Sequence, residues 1–250
     1  MELNLKSRFS TFLEVLFRIT TPLIFGFTFV ILTAFLFAVL NLDLESSFNL
    51  IIMEHGVLTV SVLAFLYFTQ KWDRYPFNDL DIIHWRKHNL RDMAIVGVVI
   101  LVLLVLNIIL GFVYEIVGIE VASNEIIDRV QEDPVNLLYL IPFMIFLVGP
   151  AEELLLRGLV QGVIRDVTKV GVAIVLTSIL FGLIHIPVAG GIGMGALGYV
   201  ITTTILSLVL GYIYEREKTL LIPILAHGLY NSVLLVFAYF AIVYELALFL

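Results

Sequence analysis

The chain has 250 residues, of which 61% are hydrophobic and 14% charged, with no cysteine and a formal net charge of −7. The charged fraction is well below the ~25% of soluble globular domains, and several apolar runs reach the ~20 residues that cross a bilayer. A membrane protein is expected, and nucleic acid is not an expected partner. Without cysteine, a disulfide framework, a thiolate zinc site and a cysteine nucleophile are excluded.

Thr21–Leu40 follows a basic arm carrying Lys6, Arg8 and Arg18. The run is longer than a signal-peptide core and no A-x-A site ends it, so it is expected to stay attached as the first span. Leu50–Thr69 and Ala94–Tyr114 read as the second and third spans. Between them "KWDRYPFNDLDIIHWRKHNLRD", around Trp72–Asp92, mixes charge with aromatics as a helix lying at the headgroups would. Asn136–Ile164, Gly171–Ile186 and Gly193–Tyr214 supply the next three spans. Leu220–Leu250 is 31 residues long, about 46 Å as one helix, against a hydrocarbon core of ~30 Å. It is either one long tilted helix or two short ones. The expected fold is all-α, a single integral membrane domain over residues 1–250 with seven to eight transmembrane helices.

Cytoplasmic loops hold the excess of Lys and Arg. One side collects Lys6, Arg8, Arg18, Lys71, Arg74, Arg86, Lys87, Arg91, Arg157, Arg165, Lys169, Arg216 and Lys218, while the other keeps Arg129 among Glu115, Glu120, Glu125, Asp128, Glu132 and Asp133. The N-terminus is expected in the cytoplasm.

An ionisable side chain inside a span costs roughly 2.5–3.5 kcal/mol on insertion scales and marks a functional candidate. The candidates are Glu152, Glu153 and Arg157 in "GPAEELLLRG", His185 ending "FGLIH", and His227 with Asn231 in "HGLYN", with Glu245 a weaker case. Pro150 suits the first turn of a helix and not its interior, so the fourth span is expected to kink or break there. Glu153 and Arg157 are four apart, the favoured order for an ion pair, and Glu152 is turned about 100° away and left free. His227 and Asn231 share a face for the same reason. A buried acid has the use of a general base or acid: Glu152 with His185 would activate a water, and His227 with Asn231 would donate to the oxyanion. The triplet alone fits equally a structural cluster that locks helices together.

"EELLLR", "FGLIH" and "HGLYN", in this order on successive helices, resemble the E-E-x-x-x-R, F-x-x-x-H and H-x-x-x-N motifs of the CAAX protease and bacteriocin-processing (Abi) family of intramembrane glutamate proteases. The resemblance covers roughly Pro142–Val236, the C-terminal half, and the catalytic-motif core is taken as 136–236. It implies a helix bundle around a membrane-embedded polar cavity, with Glu152, His185, His227 and Asn231 catalytic and Glu153, Arg157 and Phe181 in support. It also implies a type II prenyl endopeptidase, with no cofactor or metal, acting on a prenylated C-a-a-X or other lipidated, membrane-anchored peptide. The site is expected near the cytoplasmic leaflet of a prokaryotic plasma membrane.

Three other readings compete. His185, His227 and a glutamate could ligate zinc, although no H-E-x-x-H occurs; the i, i+4 pair His84 and His88 lies in a basic segment without the intervening glutamate. The family also contains bacteriocin-immunity and scaffold proteins, in which proteolysis is not the function. A transporter would use a broken fourth span, but no inverted repeat is present. The run "AGGIGMGALG" is read as close helix packing through Gly191 and Gly195.

Overall fold

A computed structural model describes residues 2–40, 52–70, 89–122 and 133–245. All regular structure among them is helical. The helices are α1 (Glu2–Val39), α2 (Val57–Gln70), α3 (Leu90–Val117), α4 (Val135–Val167), α5 (Val170–Ile184), α6 (Met194–Glu217) and α7 (Leu221–Val243). A π-helical turn, Ile52–Gly56, leads into α2. Five of the helices are long and apolar enough to cross a membrane, and α2 and α5 are shorter apolar helices. The chain is an all-α integral membrane protein. Large apolar side chains such as Ile24, Phe35, Val98 and Ile116 are exposed on the outside of the bundle, as lipid contact requires.

Local chemistry sets the ends. At α3 the Asn89 side chain accepts the Asp92 N–H while the Asp92 carboxylate accepts the Asn89 N–H, a capping box, and Gly118 closes the helix in the left-handed conformation. Asn89–Asp92 thus starts a span and does not end a headgroup helix. The remainder of that expected interfacial segment, with His84 and His88, lies outside the described residues. Leu221–Val243 is one unbroken helix, which decides between the two options for this part of the chain; 246–250 lie outside the described residues. Gly191 sits in the turn before α6, with φ 110°, so it does not pair with Gly195 on a helix.

The expected break at Pro150 is absent. Backbone angles stay helical from Val148 through Gly162, and the Gly149 N–H reaches the Met144 carbonyl five residues back. The π-helical stretch Met144–Val148 widens the helix just ahead of the proline and relieves the clash of its ring with the preceding turn. A second π-helical stretch, Leu154–Gln161, follows directly after the two glutamates.

This helix runs through the middle of the bundle. Every residue from Leu154 to Ile164 is buried, Arg157 included, so Arg157 is no loop cation and leaves the count of cytoplasmic charges. Leu155, Leu156 and Leu159 join Leu58 and Phe65 of α2, Phe181 of α5 and Leu220 in one apolar cluster. Glycines bring α4 and α7 into backbone contact: a Cβ on Gly149 would stand 2.8 Å from the Ile224 carbonyl, and one on Gly228 would stand 2.7 Å from that of Met144. Small residues allow such approach between membrane helices, and here they set the α4 carboxylates against the α7 histidine.

Candidate active site

Glu152 and Glu153 are neighbours in sequence with different partners. Glu153 is fully buried; one oxygen lies 2.9 Å from His227 Nδ1 and the other 3.3 Å from Arg157 Nε. Arg157 in turn donates to the Ser207 hydroxyl at 2.8 Å and to the Ser207 carbonyl at 3.1 Å, and its guanidinium lies 5.1 Å from the Phe181 ring centre. The charge on Glu153 is therefore spent on fixing an arginine and an imidazole. The i, i+4 pairing read from sequence is present.

Glu152, turned to the next face of α4, meets three imidazoles. His55 Nε2 lies 3.2 Å from Oε1, while His185 Nε2 and His227 Nε2 lie 3.9 and 3.8 Å from Oε2. The first distance is a hydrogen bond; the other two are too long for one and suit groups bridged by a water. Oε2 is buried and has no hydrogen-bond partner among the described residues. Buried polar atoms are nearly always paired, so an orphan of this kind calls for an explanation. Glu152, His55 and His185 each keep part of the side chain accessible, at 10%, 18% and 16%.

Secondary contacts fix the tautomers. His185 Nδ1 lies 2.7 Å from the Phe181 carbonyl and must donate to it, which leaves the Nε2 lone pair facing Glu152. Nδ1 of His227 donates to Glu153, so its Nε2 donates only when the ring is an imidazolium, a form that Glu153 accompanies as a charge-assisted partner. The Phe181 ring lies 4.4 Å from that of His185 at a tilt of 40° and meets His227 edge-on at 5.8 Å.

Glu152, Glu153, Arg157, Phe181, His185 and His227 are thus brought together. Asn231 is one turn beyond His227 on the same face of α7 and partly buried, but its amide makes no hydrogen bond among the described residues. Glu245 is exposed at the end of α7, away from the cluster. Sequence reasoning missed His55. The signal was there: "MEHG" puts two ionisable residues, Glu54 and His55, into the apolar run Leu50–Thr69. Among the described residues no group of three or more His, Asp and Glu is set to hold a metal ion.

Residues 134–233 match the family model described as Type II CAAX prenyl endopeptidase Rce1-like. This segment is similar to that family. The match includes every α4, α5 and α7 residue of the cluster and leaves out His55, and the family points to a protease working within a membrane. No curated protein and no solved structure matches the chain.

Proposed function

We propose that the chain is an intramembrane endopeptidase that hydrolyses a peptide bond of a membrane-anchored substrate through a water activated by Glu152 and His185. The observation that carries this reading is the unpartnered Oε2 of Glu152, facing two imidazole nitrogens at 3.8 and 3.9 Å. A water between Glu152 Oε2 and His185 Nε2 finds two acceptors, gives one hydrogen to each and keeps a lone pair for attack. Glu152 takes the proton as the oxygen bonds to the scissile carbonyl carbon, and His227, as imidazolium, donates Nε2–H to the developing oxyanion. Collapse of the tetrahedral intermediate breaks the C–N bond, and the proton held by Glu152 passes to the leaving amine. Asn231, on the His227 face, is a second donor once substrate fills the site.

His55 acts through Glu152. By holding Oε1 it turns Oε2 toward the water, the part played by the orienting third group of a nucleophile–base pair. Glu153 has the same relation to His227. The fully buried Arg157, 3.3 Å away, holds Glu153 in place.

The test is cleavage of a farnesylated C-a-a-X reporter peptide by detergent-purified protein, wild type against Glu152→Gln, with and without chelator. The reading expects cleavage by wild type that the chelator leaves unchanged and the variant lacks. Loss of cleavage on chelation would favour a zinc protease built on the same imidazoles. Full activity in Glu152→Gln would remove the glutamate from the chemistry, and an unchanged biological phenotype in that variant would favour an immunity or scaffold role.

A further inference from the structure

The outer surfaces of α3 and α6 form a groove that the catalytic cluster does not use. Val98, Val99 and Val102 line one wall and Leu208, Val209 and Tyr212 the other, around a volume of about 400 Å³. The lining is apolar, and Val98, Val102 and Tyr212 are exposed on the outside of the bundle. Toward the site α6 turns a different face, on which Ser207 and Gly211 accept from Arg157 and Gln161.

The groove leads to a charged corner. Arg91 is seven residues before Val98 and Arg216 seven after Val209, about two turns along the same face in each case. The stripe that lines the groove thus ends at an arginine on both helices. Hydrogen bonds from Arg91 to Glu217 at 3.3 and 3.4 Å bring the two helix ends together. At ~1.5 Å per residue the lining lies about 6–16 Å deeper than these arginines. Both helices are long and apolar enough to cross a membrane, so their ends stand at the headgroups and the groove lies among the acyl chains.

At the corner one carboxylate is shared by two guanidiniums. Arg91 Nη2 reaches both Glu217 oxygens, and Arg216 Nε lies 3.3 Å from one of them. The Glu217 side chain is 5% exposed and that of Arg216 58%, so the acid is drawn in and guanidinium faces outward. Asp92, the acid next to Arg91, is fully buried and closes the capping box of α3. Lys218 adds an exposed ammonium close by, held 2.7 Å from Glu215. Because Arg91 already spans both oxygens of Glu217, Arg216 carries the surplus charge, and its planar fork suits a phosphate.

We infer that the α3–α6 groove is a site for one anionic phospholipid, with the phosphate on Arg216 and an acyl chain along Val98, Val102 and Val209. A free phosphate leaves the groove unused and a purely apolar occupant leaves the arginine unused; an anionic lipid engages both. Tyr212, between the groove and Arg216 on α6, stands at the depth where tyrosine is enriched in membrane proteins. Lipid binding at this corner does not depend on the chain being a protease.

Native mass spectrometry of the detergent-purified protein, titrated with dioleoylphosphatidylglycerol or dioleoylphosphatidylcholine, reads the fraction that retains one lipid. Phosphatidylglycerol is expected to bind at the lower concentration. Arg216→Gln is expected to weaken phosphatidylglycerol about fivefold, the share of one surface arginine, and Arg216→Lys to keep the preference for the anion. Val102→Trp, which fills the groove from its exposed side, is expected to weaken both lipids. Should that variant lose its monodisperse peak, Val98→Trp takes its place. Equal binding of the two lipids by wild type, or unchanged phosphatidylglycerol binding in Arg216→Gln, would overturn the headgroup contact. Wild-type affinity in a folded tryptophan variant would overturn the groove. Displacement of phosphatidylglycerol by inorganic phosphate at the lipid's own concentration would overturn the lipid in favour of a free anion. A dimer in place of the lipid adduct, lost in the tryptophan variant, would overturn it in favour of a second copy of the chain.

Discussion

Two polar clusters sit on α4 a few residues apart, and they are built to opposite rules. The lower one is a ladder: Glu153, Arg157, Gln161 and Arg165 recur every fourth residue and meet Ser207, Gly211 and Glu215, which recur every fourth residue on α6. Its charges pair with one another and most of it is sealed, although Glu153 Oε2, Arg157 Nε and Nη1 and Gln161 Oε1 make no hydrogen bond among the described residues. The upper one, Glu152 with His55, His185 and His227, lies off the ladder face, keeps some access and contains a carboxylate oxygen without a partner among the described residues. A membrane interior tolerates charge that is neutralised locally, so the ladder needs only a structural explanation. Glu152 Oε2 differs from the ladder atoms in facing two imidazoles at 3.9 and 3.8 Å with no guanidinium beside it, and it is the atom to which the proposed chemistry is assigned.

Mutation separates the two clusters. Glu152→Gln keeps shape and removes the base, and cleavage of the farnesylated peptide is expected to fall by about 10²–10⁴-fold, the usual worth of general base catalysis, with the detergent-solubilised protein melting as wild type does. Arg157→Met does the reverse. It leaves Glu153 buried without its cation, and removing one partner of a buried pair costs about 3–5 kcal/mol, read as a lowered temperature of loss of the monodisperse peak. A variant that lost activity and stability together at Glu152 would merge the clusters into one structural device.

His55 sharpens the comparison because it lies outside the matched segment yet touches the central carboxylate. His55→Ala is expected to lower turnover by about 10–100-fold, the range found when the group orienting a functional ligand is removed, with KM unchanged. His55→Gln, whose amide can donate to the same oxygen, is expected to recover most of that loss. If Ala and Gln are equally impaired, holding Glu152 is not what His55 does.

Much of this arrangement was legible in the chain. Glu152, His185 and His227 stand out because charge inside a span is costly, and the Glu153–Arg157 pair follows from helical spacing alone. His55 was hidden because the run Leu50–Thr69 reads as a span by bulk hydropathy, and its partner is 97 residues away, a distance no local pattern encodes. The unbroken α4 was hidden for another reason. Pro150 signals a break under α-helical geometry, and only the widened π turn before it, which has no sequence signature, lets the helix continue.

The smallest expected effect tests the account of burial directly. Arg91 Nη2 lies 3.3 Å from Glu217, the same separation as Arg157 Nε from Glu153, so by distance alone the two ion pairs are equal. Their surroundings differ: the Arg91 side chain is 64% exposed where that of Arg157 is 0%. Glu217 also keeps Arg216 Nε at 3.3 Å when Arg91 is removed, while Arg157 is the arginine paired with Glu153. Arg91→Ala is therefore expected to cost less than about 1 kcal/mol, as exposed pairs do, and to leave cleavage unchanged in the melt and assay used for Arg157→Met. A comparable loss in both variants would mean that separation and not desolvation sets the cost, and the reason given for the sealed lower half of α4 would fail with it.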